Sequence, residues 1–267
     1  MRNLQSLELW HNYLEMRIAL GIEYDGSTFK GWQSQRNQDT VQSTIEVALQ
    51  TVANEPISTT CAGRTDSGVH ALCQVVHFDT EVQRNARSWA FGCNANLPSS
   101  ISVLWAKVMP LTFHARFSAT SRSYRYLICN RPIRSAIWQK KATWEYRPLN
   151  IDRMNKACGH WIGTHDFSSF QAKGCQANNA VRHVSSFDVT KELDLVTIRV
   201  TANAFLQHMV RNLAGVLMEI GSGRRSSSWA KEVLDFKNRA LGGVTAVPDG
   251  LYLSNVSYPK EFDIPLM

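Results

Sequence analysis

Residues Arg17-Ile18-Ala19-Leu20-Gly21-Ile22-Glu23-Tyr24-Asp25-Gly26-Ser27 decide the reading of the fold. Ile18, Leu20, Ile22 and Tyr24 recur at every second position, the period of a half-buried strand, and Asp25-Gly26-Ser27 is the turn that ends it. Downstream, Val41, Ile45, Ala48, Leu49 and Val52 form one helical stripe over 41–52, with Thr40 placed to cap its first turn. Strands fit Ile57 to Cys61 and Gln74 to Phe78, a helix fits Ala86 to Ala95, and a strand fits Ile101 to Val108. The order is β-α-β-β-α-β. It recurs with longer insertions: a strand over Tyr124 to Cys129, a helix over Asp152 to Trp161, strands over Val184 to Thr190 and Val196 to Thr201, and a helix over Phe205 to Ile220. A further helix spans Trp229 to Leu241, stopped by Gly242-Gly243, before a closing strand over Tyr252 to Val256. The pattern predicts an α+β fold of two ferredoxin-like halves, joined into one mixed, mainly antiparallel sheet with a central cleft for a large ligand. The expected division is a leader over 1–15 without assigned function, a first half over 16–113 and a second half over 114–267; Met16, just before the first strand, is a candidate native start.

Hydrophobic residues at 44% of the 267 suffice for a sizeable core, and only 19% charged residues without low-complexity tracts exclude a disordered or fibrous chain. No apolar run reaches bilayer length and no secretory pattern opens the chain, so a soluble cytoplasmic protein is expected. The six cysteines form no C-x-x-C pair, which favours reduced thiols. Cys158, His160 and His165 come nearest to a metal cluster, but Cys158 and Trp161 fall at buried helical positions, which favours packing. Charge is unevenly spread: residues 1–113 carry 8 basic and 10 acidic side chains, residues 114–267 carry 21 and 12. Between Arg116 and Lys141 lie Arg116, Arg122, Arg125, Arg131, Arg134, Lys140 and Lys141 with no acidic residue, an arrangement suited to a polyanion. Arg122, Arg134, Lys140 and Lys141 are the candidate phosphate contacts.

Between two predicted strands stands Cys61-Ala62-Gly63-Arg64-Thr65-Asp66-Ser67-Gly68-Val69-His70. Glycines flank an arginine and an aspartate, so the loop can hold Asp66 beside a bound substrate; a plain hairpin turn uses the same residue types. This loop resembles the catalytic signature of the tRNA pseudouridine synthase A family, which acts on the anticodon arm. The resemblance extends to Ile22-Glu23-Tyr24-Asp25-Gly26 with Gly31-Trp32-Gln33, to Phe113-His114-Ala115-Arg116-Phe117-Ser118-Ala119, to Tyr124-Arg125-Tyr126, to Asp166-Phe167-Ser168-Ser169-Phe170, and to Asn203-Ala204-Phe205-Leu206-Gln207-His208-Met209-Val210-Arg211-Asn212. It implies the pseudouridine synthase fold and isomerisation of uridine to pseudouridine at tRNA positions 38, 39 and 40. It also implies a homodimer cradling tRNA, with no cofactor. Residue by residue, it makes Asp66 the essential carboxylate, Arg64 the side chain that helps expel the target base, Tyr124 the active-site tyrosine and Arg211 the partner of Asp66. The segment 175–182 departs from the family in lacking the Thr-Pro or Ser-Pro that relatives often carry before Arg182.

The chemistry explains these residue types. Making pseudouridine breaks the N1–C1′ bond, rotates the detached uracil, joins C5 to C1′ and removes the C5 proton, so nothing enters or leaves overall. A stacked base must be extruded first, which suits a long planar cation such as Arg64. Asp66 is needed ionised, either to attack a carbon of the nucleotide or to withdraw the C2′ proton, and a neighbouring arginine orients it and favours its charged form. Tyr124 offers a ring to stack on uracil and a hydroxyl to reach C5, although its alternation with Tyr126 also fits a core position. His70, His114 and His208 are read as structural, with no proton transfer assigned. The rivals are a non-catalytic RNA-binding module, and a hydrolase or glycosidase with Glu23 or Asp25 as a second acid.

Overall fold

A computed structural model describes residues 16–175 and 177–265; the leader 1–15 lies outside the described residues, as does Gln176 within the departing 175–182 segment. The first half comprises β1 (Met16–Tyr24), α1 (Val41–Ala53), β2 (Thr60–Cys61), β3 (His70–Thr80), α2 (Ala86–Asn96) and β4 (Ile101–Met109). The second comprises β5 (Ser121–Asn130), β6 (Thr143–Glu145), α3 (Ile151–Cys158), β7 (Gly163–Asp166), β8 (Val181–Glu192), β9 (Leu195–Ala202), α4 (Met209–Gly221), α5 (Trp229–Phe236) and β10 (Leu251–Ser257). Among the described residues the ten strands form one sheet in the order β4-β1-β3-β10-β5-β9-β8-β7, with β2 on β3 and β6 on β5. In each half the β-α-β-β-α-β strands lie fourth-first-third-second: β4-β1-β3-β2, and β10-β5-β9-β8. Every pairing is antiparallel except β5–β6 and the joint between the halves, where β10 runs parallel to β3 through Tyr252↔His70 and Leu253↔Ala71.

Side-chain contacts reinforce that short joint. His70 accepts the Gly26 N–H at Nδ1 (3.1 Å), stacks on Tyr252 (centroids 4.5 Å apart) and reaches the Asp249 carbonyl with Nε2 (3.2 Å). Nδ1 also lies 3.1 Å from Asp25 Oδ1; burial of the ring outweighs that carboxylate and lowers the His70 pKa. Lys141 forms an ion pair with Asp25. Burial disfavours the Asp25 carboxylate, but Lys141 together with the Ser27 hydroxyl and N–H outweighs it and holds the pKa at about 2.

Several predicted elements change length for identifiable reasons. β1 is buried on both faces rather than half-buried, because the Trp105 indole lies over Gly21, where a Cβ would stand 2.1 Å from the ring nitrogen. β2 shrinks to two residues because Glu46 Oε1 takes the Thr59 N–H (2.7 Å) and hydroxyl (3.0 Å). α4 starts at Met209 rather than Phe205, since His208 adopts left-handed backbone (φ 62). α5 ends at Phe236 because Lys237 does the same (φ 47). β6 and β7 lie inside the insertions and were not predicted. Thr40 caps α1 as expected (3.4 Å to Ser43 N–H). Cys158 and Trp161 are core residues, the indole N–H bonding to the Ala230 carbonyl (3.0 Å). In α4 the stripe Val210, Leu213, Ala214, Leu217 and Ile220 is buried as the helix packs on β5 and α3, which fixes where its first turn points. Burying each leucine contributes about 1.5–3 kcal/mol. Among the described residues, no helix is long and apolar enough to cross a membrane.

Candidate active site

The Asp66 loop joins β2 to β3 in the first half, and its backbone is pinned at both ends. Ala62 donates to Val75 O (2.8 Å), while the buried Gln74 amide spans Gly63, accepting its N–H (3.3 Å) and donating to its carbonyl (2.6 Å). The Thr65 carbonyl accepts the Trp32 N–H (3.0 Å), and the Thr65 hydroxyl bonds to the buried Tyr24 hydroxyl (2.7 Å). Gly31 permits that contact: its φ is +90, and a Cβ there would stand 2.9 Å from the Thr65 carbonyl. The Gly31-Trp32 pair of the sequence motif therefore clamps the Asp66 loop. Gly68, also in left-handed backbone (φ 79), turns the chain back into β3.

The second half brings side chains to this loop. Arg211, on the first turn of α4, places Nη1 3.4 Å from Asp66 Oδ2 and is aimed by a 2.8 Å bond from Nε to the Ala246 carbonyl. His208 Nε2 lies 3.5 Å from the same oxygen. Both contacts fall on Oδ2; among the described residues Oδ1 accepts no hydrogen bond. Asp66 is 28% exposed, so a ligand can reach it while two nitrogens flank it.

Tyr124, on β5, lies against the loop with its hydroxyl 3.8 Å from where a Gly63 Cβ would be, and its ring packs edge-on against Phe205 (4.9 Å, 80°). Of the buried tyrosines, Tyr24 bonds to Thr65, and Tyr126 bonds to Thr143 and the Val247 carbonyl. The Tyr124 hydroxyl has no such partner among the described residues. Burial, and then the negative charge of Asp66, push its pKa far above the ordinary value, so the phenol remains protonated.

Thus Asp66, Tyr124 and Arg211, far apart in sequence, meet at one place. Arg64 is exposed beside them and forms no ion pair among the described residues. Arg122 was expected to face phosphate. Instead it donates to the carbonyls of Ala62 (3.0 and 3.3 Å), Arg116 (2.5 Å), Ala119 (3.1 Å) and Asn203 (3.1 Å), so it braces the Asp66 loop from beneath. Arg134 and Lys140 are exposed on the 131–142 insertion, without ion-pair partners among the described residues, and bond to none of the site residues; Lys141 is paired with Asp25. That engagement, shared with Ser27, also leaves Asp25 poorly placed as a second catalytic acid. His208 is the residue that sequence reasoning missed, although it lies within the quoted Asn203–Asn212 motif.

A double ferredoxin-like sheet carrying a flanked carboxylate at its joint defines an α+β enzyme with the pseudouridine synthase fold. The family model described as tRNA pseudouridine synthase matches residues 21–118 and 157–259, one block in each half. The chain is 56% identical over 250 residues to tRNA pseudouridine synthase A of Nitrosococcus oceani, covering 94% of this chain and 96% of that protein. It is 53% identical over 251 residues to the Coxiella burnetii protein of that name (94% and 96%), and 54% over 250 residues to that of Pseudomonas aeruginosa (93% and 88%). The chain belongs to the tRNA pseudouridine synthase family, and it is an isomerase.

Proposed function

We propose that the protein converts uridines of the tRNA anticodon arm, at the positions named above, to pseudouridine, with Asp66 acting at the ribose of the extruded nucleotide. The observation that carries this reading is the asymmetry of the Asp66 carboxylate. Arg211 and His208 hold Oδ2, and Oδ1 is left to meet the nucleotide, either as nucleophile or as base at C2′. In this reading Arg64, exposed and without an ion-pair partner among the described residues, enters the space vacated by the target base. The Tyr124 ring stacks on the detached uracil, and its hydroxyl, kept protonated by burial and by Asp66, is placed to bond to the base. The first half, over 16–113, then supplies the carboxylate loop. The second, over 114–267, supplies the cations and the RNA-binding surface, with Arg134 and Lys140 as phosphate contacts. The substrate places the enzyme in the cytoplasm, and the homodimer implied by the family motifs is part of the same proposal.

The test is tritium release from unmodified tRNA labelled at uridine C5. Release to water without strand cleavage is expected, with no free uracil. Free uracil or an abasic ribose among the products would instead mark a glycosidase, and absence of release from any tRNA would refute the proposal.

A further inference from the structure

At 76% exposure Phe117 is the most exposed aromatic side chain among the described residues, yet its backbone is tightly held. His114 Nδ1 accepts the N–H groups of both Arg116 and Phe117 (3.1 Å each), and the Ser118 hydroxyl accepts the His114 N–H (3.0 Å). The Ser118 N–H in turn bonds to the His114 carbonyl (2.9 Å), and the Ala115 N–H to His77 Nδ1 (3.1 Å). The His114 ring stacks on Phe117 (centroids 4.3 Å apart, 30°), and the Arg116 guanidinium carbon lies 5.5 Å from the Phe117 centroid. A ring fixed by its backbone and backed by a second ring, yet open to solvent, gains nothing for the core; it is preorganised for a flat ligand.

Its position identifies that ligand. Arg122 Nη2 bonds to the carbonyls of both Arg116 (2.5 Å) and Ala62 (3.0 Å), so the 114–118 turn abuts the start of the Asp66 loop, two residues before Arg64. Arg64 and Arg116 both act electrostatically on the Cys61 thiol, whose pKa burial raises to about 12. An aromatic face with Arg116 against it, on a turn that abuts the loop of Arg64, fits a nucleobase on a phosphate strand: every base offers a π-face, and the cations meet its backbone. We propose that Phe117, with Arg116 beside it, is a stacking platform for one unpaired nucleobase of the RNA strand that carries the target uridine. This rests on the tRNA substrate proposed above.

Affinity for tRNA should fall about 5- to 150-fold in Phe117→Ala, corresponding to about 1–3 kcal/mol per stacked base. Phe117→Tyr should bind within about twofold of wild type, while Phe117→Leu, apolar but without a π-face, should lose as much as Ala. On tRNAs each carrying one abasic nucleotide, the Phe117→Ala penalty should vanish for one position and persist for the others, which identifies the stacked base. Leu binding as well as Tyr, or a penalty equal on every abasic tRNA, would overturn the platform. So would unchanged tRNA affinity with an altered sedimentation coefficient, which would make Phe117 a protein contact. Failure of the wild type itself to release tritium from tRNA would refute the functional reading and not the platform.

Discussion

The two halves share one strand order and differ in what they place at equivalent connections. Between its second and third strands the first half inserts residues 62–69, the Asp66 loop; the second half turns there through Leu193 and Asp194 alone, with Leu193 at φ 52. Between third strand and second helix the first half has residues 81–85, which end in the α2 cap Asn85. There the second half has 203–208, which sets Phe205 against Tyr124 and His208 beside Asp66, just before Arg211. One half elaborates the connection that carries the carboxylate, and the other the connection that brings His208 to it, directly before the helix that carries Arg211. The shared strand order supplies the scaffold, and the differing loops bring together side chains that neither half holds alone.

The sharpest break in this complementarity is Asp66→Asn, which keeps the size of the side chain and removes its charge. Turnover on labelled tRNA should fall by about four orders of magnitude or more, with tRNA affinity changed less than about threefold. Near-normal tritium release would remove Asp66 from the reaction.

On the opposite side of the joint, Arg211→Ala should lower turnover about 10- to 150-fold, the loss of one charge-assisted hydrogen bond at about 1.5–3 kcal/mol. His208→Asn is the companion variant, because Asn tolerates the left-handed backbone that His208 adopts (φ 62) and keeps a donor. Its turnover should fall less, about two- to tenfold, and His208→Ala should fall further because it removes the donor as well. Turnover equal to wild type in both would leave the histidine as a helix-start residue only.

Tyr124 separates two uses of the second half's strand. With a phenol kept protonated by burial and by Asp66, Tyr124→Phe should cost about tenfold in turnover, roughly one hydrogen bond to the base, and Tyr124→Leu considerably more. A loss of about 100- to 10,000-fold in Tyr124→Phe would instead make the hydroxyl the group that takes the C5 proton.

Much of this was legible in the sequence because period and punctuation report local physics. The β1 alternation, the α1 stripe and the doubled β-α-β-β-α-β order all correspond to elements of the structure. The Asp66 loop and the Asn203–Asn212 segment were recognisable as motifs, and the structure brings them together. What could not be read was which polar atoms are already engaged. Arg122 and Lys141 look like free cations in a basic stretch, but carbonyls from four residues surround the first and Asp25 holds the second. His208 looked structural because only the fold reveals that its ring meets a carboxylate 142 positions away in the chain. β6 and β7 were missed because three- and four-residue strands in insertions carry too few alternations to register.

The linker between the halves has its own pH signature. His77 accepts the Ala115 N–H at Nδ1, and burial, then Arg17 and His114, lower its pKa from 6.5 to about 4. Between those values the unfolded chain binds a proton that the folded chain excludes. This contribution is therefore fully present above about pH 6.5 and is lost as pH falls toward 4, with a slope of at most about 1.4 kcal/mol per pH unit. Denaturant midpoints should fall across that window in wild type and fall less steeply in His77→Asn; parallel curves would show that His77 is protonated alike in both states.

The smallest effect tests whether the charge imbalance between the halves serves RNA. Residues 114–267 carry an excess of nine positive charges and residues 1–113 an excess of two negative ones, yet the structure divides the cations of the 131–142 insertion into two kinds. Arg134 and Lys140 are exposed and unpaired among the described residues, whereas Lys141 is bound to Asp25 at the joint. Each phosphate neutralised releases counterions, so removing one true contact lowers the slope of log affinity against log salt by about 0.7 to 0.9. Arg134→Ala and Lys140→Ala should each do so, weakening binding a fewfold for every tRNA alike while turnover at saturating RNA stays constant. Lys141→Ala should leave the slope unchanged and lower thermal stability instead, because it leaves the Asp25 carboxylate without its cation at the seam between the halves. A reduced slope in Lys141→Ala with unchanged stability would mean that this lysine leaves Asp25 for phosphate when RNA binds, and that the whole basic stretch serves the substrate.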